Sequence, residues 1–131
     1  MNYREIQDDA IRRYNITINT NSDCWSRVHA HQRTRTVCKW KPANSVQSTF
    51  TLLHEIGHIV TNHAWMRRAE QEFYATQWAI DRCEEYGIKL PQKIIDDYQE
   101  YIDMEVDRGR RRGGKDYGDM KLRKGADDGK V

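Results

Sequence analysis

Residues 51–60 read TLLHEIGHIV. Two histidines, His54 and His58, stand four apart and bracket Glu55 inside the most apolar run of the chain. Three readings compete for this pattern: a metal site that supports chemistry, a metal site that only holds the fold, and an accident of a helix. A helical wheel separates them. With His54 at zero, His58 falls at about 40°, Thr51 at about 60° and Glu55 at about 100°. The apolar residues Phe50, Leu52, Leu53, Ile56, Ile59 and Val60 fill the remainder, from about 140° round to about 320°. One narrow polar edge therefore interrupts a helix that is otherwise apolar. Imidazoles and a carboxylate on a buried helix need partners, and a divalent metal supplies them. Histidines at i and i+4 project from successive turns and fit one tetrahedral Zn2+. Glu55 is offset from that pair, which suits a base acting beside the metal rather than a ligand. Gly57 sits on the flank, where a missing side chain admits a neighbouring backbone.

Zinc requires a further protein ligand. His63 lies about 180° from His54 on the wheel and does not reach the same ion from an unbroken helix. The next helix offers Glu70 and Glu72. With Glu72 at zero, Thr76, Ala79 and Cys83 lie within about 40°, and Ala69 and Ala75 within about 60°. That stripe of small residues lets the helix pack closely on its neighbour. Glu72 is its one large polar member, and Glu70 points about 160° away. Glu72 is the expected third ligand.

The run STFTLLHEIGH, followed by EQEFYATQWA, resembles the ImmA/IrrE group of zinc metallopeptidases. That group carries His-Glu-x-x-His, a short linker, then Glu-x-x-Ala-x-x-aromatic-Ala. Glu72, Ala75, Trp78 and Ala79 match the second part, and Phe50, Thr51 and Leu52 match the lead-in. The likeness is specific over residues 47–80. It implies a small zincin-like α+β domain, Zn2+ as cofactor, and cleavage of a specific protein, often a repressor or regulator of a phage or mobile element. Two departures stand out. Tyr74 occupies a position that is often acidic in the group, and the usual Leu-Leu-Pro ending is replaced by IDRCEEYGIKLP. In the expected mechanism His54, His58 and Glu72 hold zinc and Glu55 moves the proton. Tyr74, His29 and His31 are candidates for stabilising the oxyanion, with Tyr74 the named choice. In HAH, residues 29–31, strand alternation points both rings to one face.

Outward from this centre the chain organises simply. Residues 3–14 fit a first helix with Ile6, Ala10 and Tyr14 one turn apart and Arg12 and Arg13 at its end. NITINTNSD, WSRVHAHQ and RTRTVCKW alternate and read as strands of a short, twisted, antiparallel sheet packed on the metal helix. The metal helix is expected over 45–64, a second over 67–86 ended by Gly87, and a third after Pro91 with a stripe of Ile94, Ile95, Tyr98, Tyr101 and Ile102. Residues 1–107 form one domain. Residues 108–131, RGRRRGGKDYGDMKLRKGADDGKV, are rich in Gly and charge and read as a basic, disordered tail.

With 22 basic and 20 acidic residues, the net charge of +2 does not argue for nucleic-acid binding by the chain as a whole. Only the tail RGRRRGGK offers nucleic acid a contact. No apolar run reaches membrane-spanning length, and the charged start lacks a signal core, so the expected compartment is the cytoplasm. Cys24, Cys38 and Cys83 are odd in number and widely spaced, which speaks against a disulfide framework and suits packed thiols. Two other functions compete with hydrolysis: a zinc-binding regulator or inhibitor that docks to a protein without cutting it, and a nucleic-acid-binding regulator using the tail.

Overall fold

The computed structural model describes residues 1–20, 27–113 and 117–124. In chain order these form α1 (Tyr3–Arg13), β1 (Thr17–Asn19), β2 (His29–His31), β3 (Thr36–Cys38), α2 (Val46–Thr61), α3 (Arg68–Glu85) and α4 (Gln92–Arg111). It is a small α+β fold with four helices and one three-stranded sheet. None of the described helices is long and apolar enough to cross a membrane. Cys24 and Trp25 lie outside the described residues, as does the end of the NITINTNSD segment.

Local sequence explains where the helices begin and end. Asn2 and Glu5 form a reciprocal capping box at α1, each side chain accepting the other's backbone N–H at 2.8 Å. α1 closes in a Schellman motif: Asn15 takes a left-handed φ of 57°, and Ile16 N–H donates to the Ile11 carbonyl at 2.9 Å. Gly87, at φ 75°, closes α3 in the same way, with Ile88 N–H donating to the Cys83 carbonyl at 2.8 Å. Ser45 caps α2, accepting from Ser48 N–H at 3.1 Å.

The sheet order is β1-β3-β2, with β1 parallel and β2 antiparallel to β3. The sheet is therefore mixed, not antiparallel as expected. Alternation fixes which residues share a face but neither strand direction nor partner. A turn over residues 32–35 joins β2 and β3 as a hairpin, whereas the longer link from β1 to β2 lets β1 lie on the far side of β3, leaving β2 at an edge.

Phe50, Leu52, Leu53 and Ile56 of α2 are fully buried. They pack with Val37 of β3, Ile80 of α3 and Ile94 and Ile95 of α4. Each such side chain contributes on the order of 1.5–3 kcal/mol by leaving water. Val60, expected on this apolar face, is instead 40% exposed, because α2 ends one residue later, at Thr61. α2 and α3 cross closely. A Cβ on Gly57 would lie 2.5 Å from the Ala75 carbonyl oxygen, so the glycine is what permits that approach. The buried face of α3 is the stripe read from the sequence, Ala69, Glu72, Ala75, Thr76, Ala79 and Cys83, together with Ile80.

After Arg108 the chain departs from the disordered tail expected of it. α4 continues to Arg111, and Tyr117 and Met120 are buried against Ala69, Ile102 and Val106. Gln99 accepts from Leu122 N–H at 2.8 Å and donates to the Met120 carbonyl at 3.0 Å. Gln77 holds Arg123 through the same pair of bonds, at 2.9 and 2.8 Å. Two side-chain amides thus clamp the backbone of residues 120–123. Residues 114–116 and 125–131 lie outside the described residues.

Candidate metal centre

α2 and α3 bring His54, His58 and Glu72 together at the floor of a cleft of about 550 Å³. His54 Nε2 lies 3.2 Å from His58 Nε2. Glu72 spans the pair, Oε1 at 3.2 Å from His54 Nε2 and Oε2 at 3.2 Å from His58 Nε2. Tetrahedral zinc with bonds of about 2.0–2.1 Å spaces its ligand atoms about 3.3 Å apart. The donor atoms already stand at that spacing. His54 and Glu72 are each 5% exposed, so a cation held there is largely shielded from solvent.

The surrounding hydrogen bonds set the ring tautomers. Thr76 Oγ1–H donates to the Glu72 carbonyl at 2.7 Å, so the same oxygen accepts Nδ1–H from His54 at 3.1 Å. That leaves the Nε2 lone pair of His54 directed at the cluster. Asn62 Nδ2 faces His58 Nδ1 at 2.7 Å. Turned over, the same amide would present its oxygen, accept Nδ1–H and leave His58 Nε2 as a ligand too.

The electrostatics of the cluster call for positive charge. Burial keeps His54 neutral, its pKa below the ordinary value despite the Glu72 carboxylate beside it. Burial also opposes charge on His58, but Glu72 and Glu55 beside it outweigh that and raise its pKa. Burial likewise works against ionised Glu72, yet the two imidazoles beside it hold its carboxyl well below the usual range. Glu55 lines the same cleft, and burial pushes its carboxyl up to about 7. A dication bound there would offset the buried charge of Glu72. The residues present fit zinc in number, chemistry and spacing.

No family model, curated protein or solved structure matches this chain. The site is therefore read from its own geometry.

His63 lies beyond the end of α2, stacked on Trp65 at 5.6 Å between ring centroids. Glu70 caps α3, accepting Arg67 N–H at 2.9 Å. His29 and His31 of β2 line the cleft, whereas Tyr74 does not. Tyr74 is 43% exposed and packs edge-on to Phe73. On α3 it stands two residues, about 200°, from Glu72, a turn that points it away from the metal face.

Three residues were missed. Thr76 and Asn62 orient the imidazoles, as above. Tyr98 of α4 lines the cleft, its ring 4.8 Å from that of His54. Burial raises its pKa, so the phenol keeps its proton and remains a donor. In the sequence Tyr98 reads as one more residue of an apolar stripe. Its hydroxyl, which Ile94, Ile95 and Ile102 of that stripe lack, is the signal in the sequence. Arg68 adds a cation at the cleft wall, 3.6 Å from Glu72 and donating to the Tyr101 hydroxyl at 3.1 Å.

Proposed function

We propose that this chain is a zinc-dependent peptidase acting on a specific protein in the cytoplasm. The observation that carries the reading is the cluster itself: two imidazole nitrogens 3.2 Å apart, each 3.2 Å from an oxygen of Glu72, with Glu55 in the same cleft, walled by an edge strand. His54, His58 and Glu72 would hold the ion. Bound there, zinc supplies Lewis-acid polarisation of a carbonyl and makes water a nucleophile at neutral pH. Glu55, partly buried in the same cleft, would take the water proton and deliver it to the leaving amine. Tyr98 replaces Tyr74 as the proposed oxyanion donor, because it faces the cleft and keeps its proton. The ImmA/IrrE resemblance supports the same reading and suggests a repressor or regulator of a mobile element as substrate. A purely structural zinc site would have no use for Glu55, which favours hydrolysis over docking alone.

The test is Glu55→Gln. The variant should keep its zinc and fail to generate the new peptide termini that the wild type produces from a proteome-derived peptide library. Equal cleavage by the variant, or none by the zinc-loaded wild type, would defeat the peptidase reading. In the second case a zinc-binding regulator that docks without cutting would stand in its place.

A further inference from the structure

A second group of metal-binding side chains lies on the hairpin rather than on the helices. His29, His31 and Cys38 each offer a ligand atom, and the three atoms lie within 4.8 Å of one another. The register produces this grouping. His29 pairs with Cys38 across the antiparallel ladder, and His31 follows two residues on, so all three share one face of the sheet. Ala30 and Val37 turn to the other face and join the core.

The two histidine pairs have nearly the same mutual geometry. The His54 and His58 rings stand 4.7 Å apart at 88°, and the His29 and His31 rings 4.9 Å apart at 84°. One tautomer is also fixed. The Arg27 carbonyl can only accept, so His29 Nδ1–H donates to it at 2.8 Å and Nε2 carries the lone pair. A backbone carbonyl holding the second nitrogen is the usual support of a metal-ligating histidine. Burial is graded across the group: Cys38 is 1% exposed, His29 partly buried and His31 exposed. An ion can therefore enter past His31 and meet a shielded sulfur.

We propose that His29, His31 and Cys38 form a second metal site, for a borderline-soft dication of the zinc class. Two imidazoles and a thiolate suit such an ion better than magnesium or calcium, which prefer oxygen. Cys38 Sγ binds as thiolate and releases its proton to solvent, and a fourth position is left to water. The site stands independently of hydrolysis at the first centre, because that centre draws its ligands only from α2 and α3.

Cobalt distinguishes the two sites, since only the hairpin site contains sulfur. Titrating Co2+ alone into the metal-free full-length protein should fill both sites and develop a thiolate-to-cobalt charge-transfer band. Replacing both His54 and His58 with Ala should leave the band intact. Cys38→Ser should abolish it. Should that buried substitution unfold the chain, His31→Ala, at an exposed position, decides the matter: the band's midpoint should move to on the order of tenfold or more higher cobalt. Cobalt binding without a charge-transfer band, or a band whose midpoint His31→Ala leaves unchanged, would overturn the proposal.

Discussion

At the scale of single residues, Glu55 and Thr76 carry the sharpest expectations. Burial raises the Glu55 carboxyl from 4.5 to about 7, so the folded, metal-free protein holds a proton that the unfolded chain has released across that window. Stability from this group is present below about pH 4.5 and falls as pH rises toward 7. Glu55→Gln should therefore stabilise the metal-free protein at pH 8, by on the order of 2 kcal/mol, with little effect at pH 4. Urea unfolding at the two pH values checks this, and equal shifts at both would refute it. Thr76→Val keeps shape but removes the acceptor of His54 Nδ1–H. Zinc affinity should fall about 10–100-fold in a chelator competition while the fold persists. Much of this chemistry was legible before the structure. The wheel isolated His54, Glu55 and His58 because a 3.6-residue period is a strong signal over 16 residues. Thr76 was visible only as a small residue in the stripe, since a threonine's hydrogen-bond partner depends on the neighbouring helix. No spacing rule selects Tyr74 over His29 and His31, and only the position of α3 in the fold shows that Tyr74 turns away from the cleft.

At the scale of elements, the crossing of α2 and α3 positions the centre. The two ligands of α2 meet the third ligand of α3 only because Gly57 lets the backbones touch. Gly57→Ala puts a carbon 2.5 Å from the Ala75 oxygen, and that contact is backbone, which cannot rotate away. The helices must part. The variant should lose about 1–3 kcal/mol of stability, or somewhat more. Its zinc affinity should fall as well, because Glu72 moves with α3. A variant with unchanged thermal unfolding and unchanged affinity would show that the crossing has slack. The helices were readable because caps, periodicity and Gly87 agreed with one another. The sheet was only half readable. Its strands are three residues each, long enough to show alternation and too short to encode direction. The placement of β1 beside β3 depends on a connection whose path no local pattern specifies.

At the scale of the whole molecule, residues 117–124 belong to the fold. Tyr117, Met120 and Leu122 are isolated apolar residues in a charged stretch, and composition averaged over that stretch conceals them. Their docking relies on Gln77 and Gln99, which grip backbone groups and so leave no trace in the segment's own sequence. Replacing both glutamines with Ala should release residues 120–123. Amide exchange at Leu122 and Arg123 should then accelerate by the equivalent of about 1–2 kcal/mol per lost clamp, with the α2 core unaffected.

The claim on which everything else depends is that His54, His58 and Glu72 hold zinc. Crystals of the zinc-loaded protein, measured on both sides of the zinc absorption edge, test it most directly. The account predicts an anomalous peak about 2.0–2.2 Å from His54 Nε2, His58 Nε2 and a Glu72 oxygen, with Glu55 close by and not bonded to the ion. Zinc-loaded crystals with no peak among these three side chains would contradict it.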